Sequence, residues 1–362
     1  MTRAPHRYDI DGILSVASWV RLPELEHFRV SRDLQADLEV RVGVVGGLRT
    51  RRRIRLVQDG SRITWLEHLG GLVANFEVDF EEPVRVKVAP LLALSPHVVY
   101  TNLVEPLLRF LLVARDRILL HGATVALNGC TITLSARTDT GKTSTILQLL
   151  QAHPGVFFSD DMVVVGADGS VGRYPKPLTI SAHTVRSTPR NRLGLLARMA
   201  LPAQSRLHSR SGRGVGRRLG EMNLPIMAMN ALVQAVCPPP KYRVTDLVDC
   251  EMGTSTRLEQ LFIIERGAVS HVSSVPLDQA VDMLLVNTED AYGFPPYARI
   301  APFIMLGESG IRALMRRERE ILTSALAGCS VSRIVTSGYG WSDVIEDCVG
   351  LGADWPKAAA SA

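Results

Sequence analysis

The sequence predicts a mixed α/β protein with a β-rich N-terminal lobe, and three observations indicate this class. Up to about residue 100, apolar residues alternate with period two between Gly and Asp turns, which is typical of strands. From Thr101 onward the apolar spacing becomes helical. A strand, a glycine–lysine loop and a helix then follow one another, which predicts an α/β core. We therefore divide the chain into a β-rich accessory lobe (1–100), a phosphate-loop core (101–185), a basic segment with an apolar run (186–240) and a C-terminal α/β part that completes the core (241–362).

The N-terminal lobe is predicted to consist of strands joined by tight turns. Its alternating runs include LEVRVGVV, RRRIRLVQDGSRITWLEHLGGLVANFEVDF and VRVKVAPLL. The Asp59-Gly60 pair predicts a hairpin turn between two of these runs, because glycine accepts the positive φ that short hairpin turns require. We find no group of catalytic residue types in this lobe and assign it an accessory role.

The core begins with a predicted helix and continues as a hairpin that ends in the phosphate loop. The helix is TNLVEPLLRFLLVARD, with Thr101 or Asn102 as its cap. RILLHGATVAL and CTITLSA are predicted strands, and Asn128-Gly129 between them is a strong hairpin signal. KTSTILQLLQA is a predicted helix, and VFFSDDMVVV is a predicted buried strand interrupted by a carboxylate pair.

The C-terminal part alternates predicted strands and helices. RLEQLFIIERGAVSHVSSV predicts a strand pair around Arg266-Gly267. PLDQAVDMLLVNT and GESGIRALMRREREILTSALAG predict helices, whereas EDAYGFPPYARIAPF predicts a loop. The apolar run from Leu224, LPIMAMNALVQAVCPPP, predicts a helix buried in the core. Contact of this run with a membrane surface is the alternative.

The composition is that of a folded protein, with 46% hydrophobic and 21% charged residues and a net charge of +5. The basic excess is local, and a segment without acidic residues contains these arginines: Arg186, Arg190, Arg192, Arg198, Arg206, Arg210, Arg213, Arg217 and Arg218. Its glycines predict a mobile segment. It could bind an anionic or phosphorylated acceptor or anionic lipid, or it could be a solvated loop. We expect no nucleic-acid partner, because no aromatic residues for base stacking are interleaved with the arginines.

Cysteine usage and hydropathy indicate the compartment. The five cysteines are scattered and form no C-x-x-C pair, which predicts neither a disulfide framework nor a zinc site. No window approaches ~18 uninterrupted apolar residues, and the N-terminal residues lack the apolar core of a secretion signal. We expect a cytoplasmic protein, with peripheral contact at the inner membrane face as an alternative. The oligomeric state stays open.

The candidate phosphate loop follows the second core strand. It comprises Ala136, Arg137, Thr138, Asp139, Thr140, Gly141, Lys142, Thr143 and Ser144. In such a loop, backbone N–H groups and the helix dipole face the phosphates, the lysine reaches the β- and γ-phosphates, and the threonine hydroxyl binds Mg²⁺. Ala136 replaces the usual first glycine, which is tolerable if its φ is negative. Asp139 tolerates a positive φ, but its charge should weaken binding of a triphosphate.

Two further elements point to phosphate chemistry. Asp160 and Asp161 lie within an apolar strand, where two adjacent carboxylates are costly to bury without a cation or proton partner. One of them can bind Mg²⁺ while the other accepts a proton from an attacking hydroxyl. His121 precedes Gly122 at the start of the hairpin. A lone strand histidine is more often structural, but its place next to the loop makes it a catalytic candidate.

Taken together, LLHGATVAL, LSARTDTGKTS and FFSDDMVVV resemble the core of the HPr kinase/phosphorylase family and the related phosphoenolpyruvate carboxykinases. The resemblance covers about residues 105–185 and is specific as a trio. It implies a P-loop core of that type, in which Lys142 binds phosphate and Thr143 binds Mg²⁺. It also implies that Asp160 and Asp161 supply a metal ligand and the catalytic base, with His121 near the transferred phosphoryl group. Ala136 and Asp139 depart from the family pattern, and no copy of the signature that binds HPr is evident.

These observations predict an ATP-dependent kinase that transfers the γ-phosphoryl group of MgATP to a hydroxyl. The acceptor class stays open among small molecules, lipid-linked compounds and peptides. The alternative is a catalytically degenerate nucleotide-binding regulator, which Ala136 and Asp139 favour. A carboxykinase-like lyase is a weaker hypothesis, because the additional metal and oxyacid ligands of such an enzyme are not identifiable.

Overall fold

The computed structural model describes residues 4–46, 54–180, 224–293 and 296–351. In these residues the chain is a mixed α/β protein with two mixed β-sheets, one N-terminal and one C-terminal. This confirms the predicted α/β class and the β-rich character of the N-terminal part. The arginine segment between Arg186 and Arg218 lies outside the described residues.

The N-terminal sheet contains the strands before residue 89. They are β1 (His6–Ile10), β2 (Leu14–Ser18), β3 (Arg29–Val30), β4 (Leu38–Val42), β5 (Ile54–Asp59), β6 (Arg62–Leu69), β7 (Leu72–Val73), β8 (Phe76–Asp79) and β9 (Val84–Val88). Their order is β3-β1-β2-β4-β9-β8-β6-β5, with β7 paired to β6. The pairs β2–β4 and β4–β9 are parallel, so this sheet is mixed rather than a simple succession of hairpins.

The C-terminal sheet is built around the long strand that follows the first core helix. Its strands are β10 (Arg117–Leu127), β11 (Cys130–Ser135), β12 (Gly155–Ser159), β13 (Met162–Gly166), β14 (Ser170–Gly172), β17 (Glu251–Met252), β18 (Ser255–Arg257), β19 (Gln260–Arg266), β20 (His271–Ser274) and β23 (Ser330–Thr336). The order is β18-β14-β13-β10-β11-β19-β23-β20, and β12 pairs with both β10 and β17. Two small ribbons pair β15 (Leu178–Thr179) with β16 (Lys241–Tyr242) and β21 (Met305–Leu306) with β22 (Ser309–Gly310).

Helices pack against these sheets. They are α1 (Pro90–Ala93), α2 (Pro96–Val99), α3 (Glu105–Val113), α4 (Lys142–Ala152), α5 (Ile226–Val236), α6 (Leu277–Tyr292), α7 (Tyr297–Ile300), α8 (Ile311–Leu326) and α9 (Trp341–Cys348). A π-helical turn, Tyr100–Val104, joins α2 to α3. Short 3-10 helices cover Pro23–Phe28, Val244–Asp246 and Ala301–Phe303. The predicted helix from Thr101 is therefore present, with a π-helical first turn.

Two buried clusters form the core. The larger one is continuous from the N-terminal sheet, for example Trp65 and Phe76, to the C-terminal sheet and its helices, for example Phe110 and Val163. The smaller one lies beneath the phosphate loop and includes Ala136. Because burial of apolar surface is the main stabilising term, the continuous larger cluster joins the two sheets into one hydrophobic unit.

The predicted hairpins and the interrupted strand are confirmed. Asn128 and Gly129 have φ values of +49° and +82°, as a two-residue hairpin turn requires, and β10 pairs with β11 in antiparallel register. Gly60 has a φ of +57° between β5 and β6. Strands β12 and β13 both pair antiparallel with β10, and the Asp160-Asp161 pair separates them.

Three predictions about the remaining elements need correction. The predicted strand pair around Arg266-Gly267 is wrong, because β23 lies between β19 and β20. Val331, Ile334 and Val335 of β23 are buried, whereas all four residues of β20 are exposed at the edge. Pro90–Ala93 and Pro96–Val99 are helical rather than extended, and α6 continues to Tyr292 into the predicted loop. In these elements, burial of side chains against the rest of the fold outweighs the local sequence pattern.

Helix α5 confirms the predicted helix but is buried on one face only. Ala228 and Ala231 are fully buried, and Ile226 and Met227 nearly so. The opposite face exposes Met229, Leu232, Val233 and Val236. The expectation of a fully buried core helix is therefore only half correct.

Candidate phosphate-binding site

The phosphate loop connects the end of β11 to the start of α4. Its parent strand β11 lies between β10 and β19 in the sheet, so the loop emerges from the middle of the sheet edge. Helix α4 begins directly after Gly141, which has no side chain that could cap the first N–H groups of the helix. Such an N-terminus favours an anion.

The backbone of the loop accommodates both departures from the glycine pattern. Asp139 adopts a φ of +62°, which confirms that aspartate occupies the left-handed region here. Ala136 is fully buried in the smaller hydrophobic cluster and is absent from the described residues with positive φ. Gly141 has a φ of +139°, and a Cβ at this position would lie 2.8 Å from Trp341. Glycine is thus required at residue 141 but not at residue 136.

Lys142 is buried and points back along the loop. Its Nζ donates to the Ala136 carbonyl at 3.2 Å and lies 2.9 Å from His121 Nε2. Burial lowers the pKa of Lys142, and the carboxylates of Asp161 and Asp160 oppose this effect. A buried ammonium next to a helix N-terminus is well placed to contact a phosphate.

Thr143 and Asp160 meet on the other side of the loop. The Thr143 hydroxyl donates to Asp160 Oδ2 at 2.7 Å. Asp160 Oδ1 is buried and has no hydrogen-bond partner among the described residues. Burial, reinforced by the neighbouring charge of Asp161, raises the pKa of Asp160 to about 6. Burying a carboxyl oxygen without a hydrogen-bond partner costs free energy, so this atom is suited to bind a cation or a hydrogen-bond donor.

Asp161 lies in a different environment from its neighbour. It adopts a φ of +73° at the break between β12 and β13, where such irregularities redirect side chains. Its Oδ2 accepts from Lys176 Nζ at 2.5 Å, and its Oδ1 lies 3.5 Å from His121 Nε2. Although burial alone would raise the pKa of Asp161, the Lys176 ammonium holds it well below the ordinary value. Asp161 is therefore a carboxylate with half of its side-chain surface exposed.

Lys176 bridges Asp161 to a second buried carboxyl group. Its Nζ also donates to Glu105 Oε2, at 2.6 Å. Burial alone would lower the pKa of Lys176, but Asp161 and Glu105 together raise it. This ammonium is consequently a permanent cation that fixes the orientation of Asp161.

His121 is held in one tautomer by helix α6. Its Nδ1 lies 2.8 Å from the backbone carbonyl of Asn287, which can only accept a hydrogen bond, so Nδ1 bears the proton. Burial lowers the pKa of His121, and Lys142 lowers it further. The imidazole is therefore neutral at neutral pH, and its Nε2 accepts from the Lys142 ammonium. The next residue must be glycine, because a Cβ at Gly122 would lie 2.9 Å from the Leu134 carbonyl oxygen.

Other loop residues are anchored by distant parts of the chain. The Thr138 N–H donates to Asp290 Oδ2 of α6 at 2.9 Å. The Thr140 carbonyl accepts from Arg266 at 3.3 Å. The Ser144 hydroxyl donates to the Gly141 carbonyl at 2.8 Å, and Arg137 is exposed. The structure thus brings His121, Lys142, Thr143, Asp160 and Asp161 together around one loop.

The residues present fit a magnesium ion. Mg²⁺ prefers oxygen ligands and in phosphoryl-transfer sites is commonly bound by one or two carboxylates together with substrate phosphates. The Thr143 hydroxyl and the unpartnered Asp160 oxygen meet this requirement. Groups of three or more His, Cys, Asp or Glu side chains that could bind a metal are not found in the described part of the chain. A magnesium ion here would thus depend on phosphate oxygens as additional ligands.

Sequence reasoning missed several members of this site. Lys176, Glu105, Asn287 and Asp290 contact the predicted residues but were not among the candidates. Among them, only Lys176 and Glu105 lie within residues 105–185, the range of the predicted core, so the sequence offered no more than their proximity as a signal. Asn287 contacts a residue 166 positions away and Asp290 contacts one 152 positions away, so no local sequence pattern predicts these contacts.

Two surface clefts lie away from the loop. They have volumes of about 380 and 310 Å³, and both are lined by Asp11 of the N-terminal part and Arg173 of the C-terminal sheet. Arg173 and Asp11 already form an ion pair at 2.7 Å. The chemistry of the phosphate loop, rather than the size of these clefts, therefore identifies the candidate site.

Sequence comparisons with known proteins do not assign a function to this site. No protein-family model matches the chain, and no curated protein matches it in sequence. None of the helices in the described ranges is long and apolar enough to cross a membrane.

Proposed function

We propose that the protein is an ATP-dependent kinase whose C-terminal sheet is a P-loop core of the HPr kinase/phosphorylase type. The observation that carries this proposal is the 2.7 Å contact between the Thr143 hydroxyl and Asp160. In this contact the threonine of the candidate phosphate loop meets a buried carboxylate that has an unpartnered oxygen. The pairing supports the proposal because a loop Ser or Thr and an Asp together bind Mg²⁺ in P-loop nucleotide enzymes.

Each side chain then has a distinct role. Lys142 and the N-terminus of α4 bind the phosphates, and Thr143 and Asp160 would bind Mg²⁺, which neutralises charge on the β- and γ-phosphates. The half-exposed Asp161 faces the acceptor hydroxyl, and Lys176 positions it.

In the transfer step, the acceptor oxygen forms a bond to the γ-phosphorus while the bond from this phosphorus to the β–γ bridging oxygen breaks. The hydroxyl proton passes to Asp161. The products are ADP and a phosphate monoester. From the sequence alone, the arginine segment suggests an anionic acceptor, and the apolar run from Leu224 suggests that the acceptor has an apolar portion.

A nucleotide-binding regulator without turnover is the second candidate, and two observations favour it. Asp161 is already paired with Lys176, which makes it a weak base. In addition, Lys142 already donates to the loop carbonyl of Ala136. A regulator would bind ATP without transferring the phosphoryl group.

The test measures both properties on the full chain. ATP binding is followed by calorimetry with Mg²⁺, and transfer is followed with γ-labelled ATP and a cell extract as the source of acceptors. We expect Lys142→Ala to abolish ATP binding, and Asp161→Asn to lower transfer about 100-fold or more while retaining MgATP binding. Asp160→Asn should lose transfer together with the dependence of binding on Mg²⁺.

Matched controls are Lys87→Ala on the N-terminal sheet and Asp168→Asn on the turn after β13, both outside the site. Neither control should change binding or transfer. ATP binding without labelled product in the wild type supports the regulator. Unchanged binding in Lys142→Ala refutes the loop as the nucleotide site.

A further inference from the structure

The phosphate loop is one of three strand ends that lie side by side. Strands β11, β19 and β23 are parallel neighbours, so their carboxyl ends share one edge of the sheet. They end at Ser135, Arg266 and Thr336. In open α/β sheets, ligands bind in the crevice outside the carboxyl ends of parallel strands. The ends of β19 and β23 thus form a natural extension of the phosphate loop.

Arg266 links this extension to the loop. Its guanidinium donates to the Thr140 carbonyl at 3.3 Å and lies 3.8 Å from the centroid of the Tyr339 ring. Tyr339 in turn makes an edge-to-face contact with Trp341 at 5.7 Å. Trp341 is fully buried against Gly141. Arg266 and Tyr339 therefore form a stack that is braced against the phosphate loop at both ends.

The surroundings of this stack are open to a flat ligand. Tyr339 retains 41% exposure, and Arg266 is exposed as well. Gly338 and Gly340 flank the tyrosine, and a Cβ at Gly338 would meet nothing within 4 Å. Planar aromatic rings and guanidinium groups bind nucleobases by stacking, whatever the base.

The order of strands places this stack opposite the acidic pair. Asp160 and Asp161 lie beyond β10 on one side of β11, whereas Arg266 and Tyr339 lie beyond β11 on the other side. A nucleotide that crosses the loop with its terminal phosphate toward the carboxylates would therefore direct its base toward Tyr339. This is the polarity that transfer of a terminal phosphoryl group requires.

We propose that Arg266 and Tyr339 form the binding site for the nucleobase of the nucleotide. The proposal rests on the function proposed above and adds the base site to it. The ligand class is a purine nucleotide, whose larger ring system offers more stacking area to the open face of this stack than a pyrimidine does.

The test compares ATP with inorganic tripolyphosphate, which contains the phosphates without the base. Binding of each to the full chain is measured by calorimetry in the presence of Mg²⁺. We expect Tyr339→Ala to weaken ATP binding by roughly 5- to 150-fold, the effect of losing one base–aromatic stack, and to leave tripolyphosphate binding unchanged. Tyr339→Phe should bind ATP as the wild type does.

A matched control is Arg41→Ala, which removes an arginine–aromatic contact of the same kind, to Trp19, in the N-terminal sheet. It should change the binding of neither ligand. The base site is refuted if wild-type protein binds ATP no more tightly than tripolyphosphate. It is also refuted if Tyr339→Ala retains ATP binding, or weakens both ligands equally. Failure of the wild type to bind either ligand overturns the proposed kinase function itself, and the base site with it.

Discussion

At the scale of single residues, the two departures of the loop from the glycine-rich motif have different effects on the protein. Ala136 is part of the buried cluster below the loop, and its methyl group contributes to packing. Asp139 occupies a backbone conformation that glycine adopts more easily, and its charge acts on Lys142. The alanine is thus an adaptation, whereas the aspartate has a measurable cost.

We predict that Ala136→Gly lowers the free energy of unfolding by about 1–2 kcal/mol. The change removes a buried methyl group, at about 0.8 kcal/mol, and adds chain entropy to the unfolded state, at about 0.4–1 kcal/mol. Urea denaturation measures the loss, and calorimetry should show no gain in ATP affinity. Tighter ATP binding in this variant would mean that alanine does restrict the approach of the phosphates.

The companion variant is Asp139→Gly. Glycine adopts the left-handed conformation of residue 139 without the strain of about 1 kcal/mol that a side chain causes. This gain offsets the greater entropy of glycine in the unfolded chain, so the free energy of unfolding should stay nearly constant. ATP should bind more tightly, because a negative charge leaves the loop. Equal responses of the two variants would contradict the distinction between these positions.

At the scale of elements, a buried ion pair joins two helices that pack on the C-terminal sheet. Arg109 of α3 is fully buried, and its Nε and Nη2 donate to the two carboxylate oxygens of Glu318 of α8, both at 2.7 Å. Such bidentate geometry compensates the desolvation of both charges. Arg109 Nη2 also lies 2.7 Å from Glu289 Oε1, so Glu318 depends on Arg109 more than Arg109 depends on Glu318.

We predict that Arg109→Met alone destabilises the protein by about 3–5 kcal/mol, because the Glu318 carboxylate stays buried without its partner. Glu318→Gln should cost less, because Arg109 keeps the carboxylate of Glu289. The double variant Arg109→Met with Glu318→Leu should be more stable than Arg109→Met. Urea denaturation provides the measurement. Arg317→Ala on the same helix, which breaks an exposed pair with Asp116, is the control and should cost no more than about 1 kcal/mol. Additive losses in the double variant would show that the two charges do not compensate each other.

The elements also show where sequence patterns suffice. The hairpin at Asn128-Gly129 and the strand broken by Asp160 were predictable, because turn chemistry and apolar runs are local. The position of β23 between β19 and β20 was not, since it depends on which strand buries more apolar surface. The same limit applies to the site: its loop and carboxylates form a local pattern, but Lys176 and Asn287 reach it only through the tertiary fold.

At the scale of the whole molecule, Glu67 connects the N-terminal sheet to the part of the chain beyond residue 223. Its Oε1 accepts from the Ala228 N–H of α5 at 2.8 Å, and its Oε2 accepts from the Trp65 indole at 3.0 Å. Burial raises the pKa of Glu67 from 4.5 to about 7. Glu67 thus adds a titratable contact to the packing of α5 against the N-terminal sheet.

We predict that this glutamate makes the fold less stable as the pH rises. Because the folded-state pKa exceeds the unfolded value, the folded protein binds more protons between these values. The stabilisation is present below pH 4.5 and is lost as the pH rises through about 7, by up to about 3 kcal/mol. Urea denaturation across pH 5–8 should give a flatter profile for Glu67→Gln than for the wild type. The exposed Glu82→Gln is the control, and parallel profiles for wild type and Glu67→Gln would contradict the assignment.

The anchoring of the loop by helix α6 has a consequence for the protein during its synthesis. The ribosome makes the chain from the N-terminus, so the loop and its acidic pair emerge long before Asn287 and Asp290. Until α6 follows, the His121 imidazole and the Thr138 N–H lack the partners that fix them in the finished protein. A nascent chain that already contains the whole sequence motif therefore lacks the fixed geometry of the finished loop. If the loop binds a nucleotide as proposed, it can do so in this geometry only after α6 has been translated.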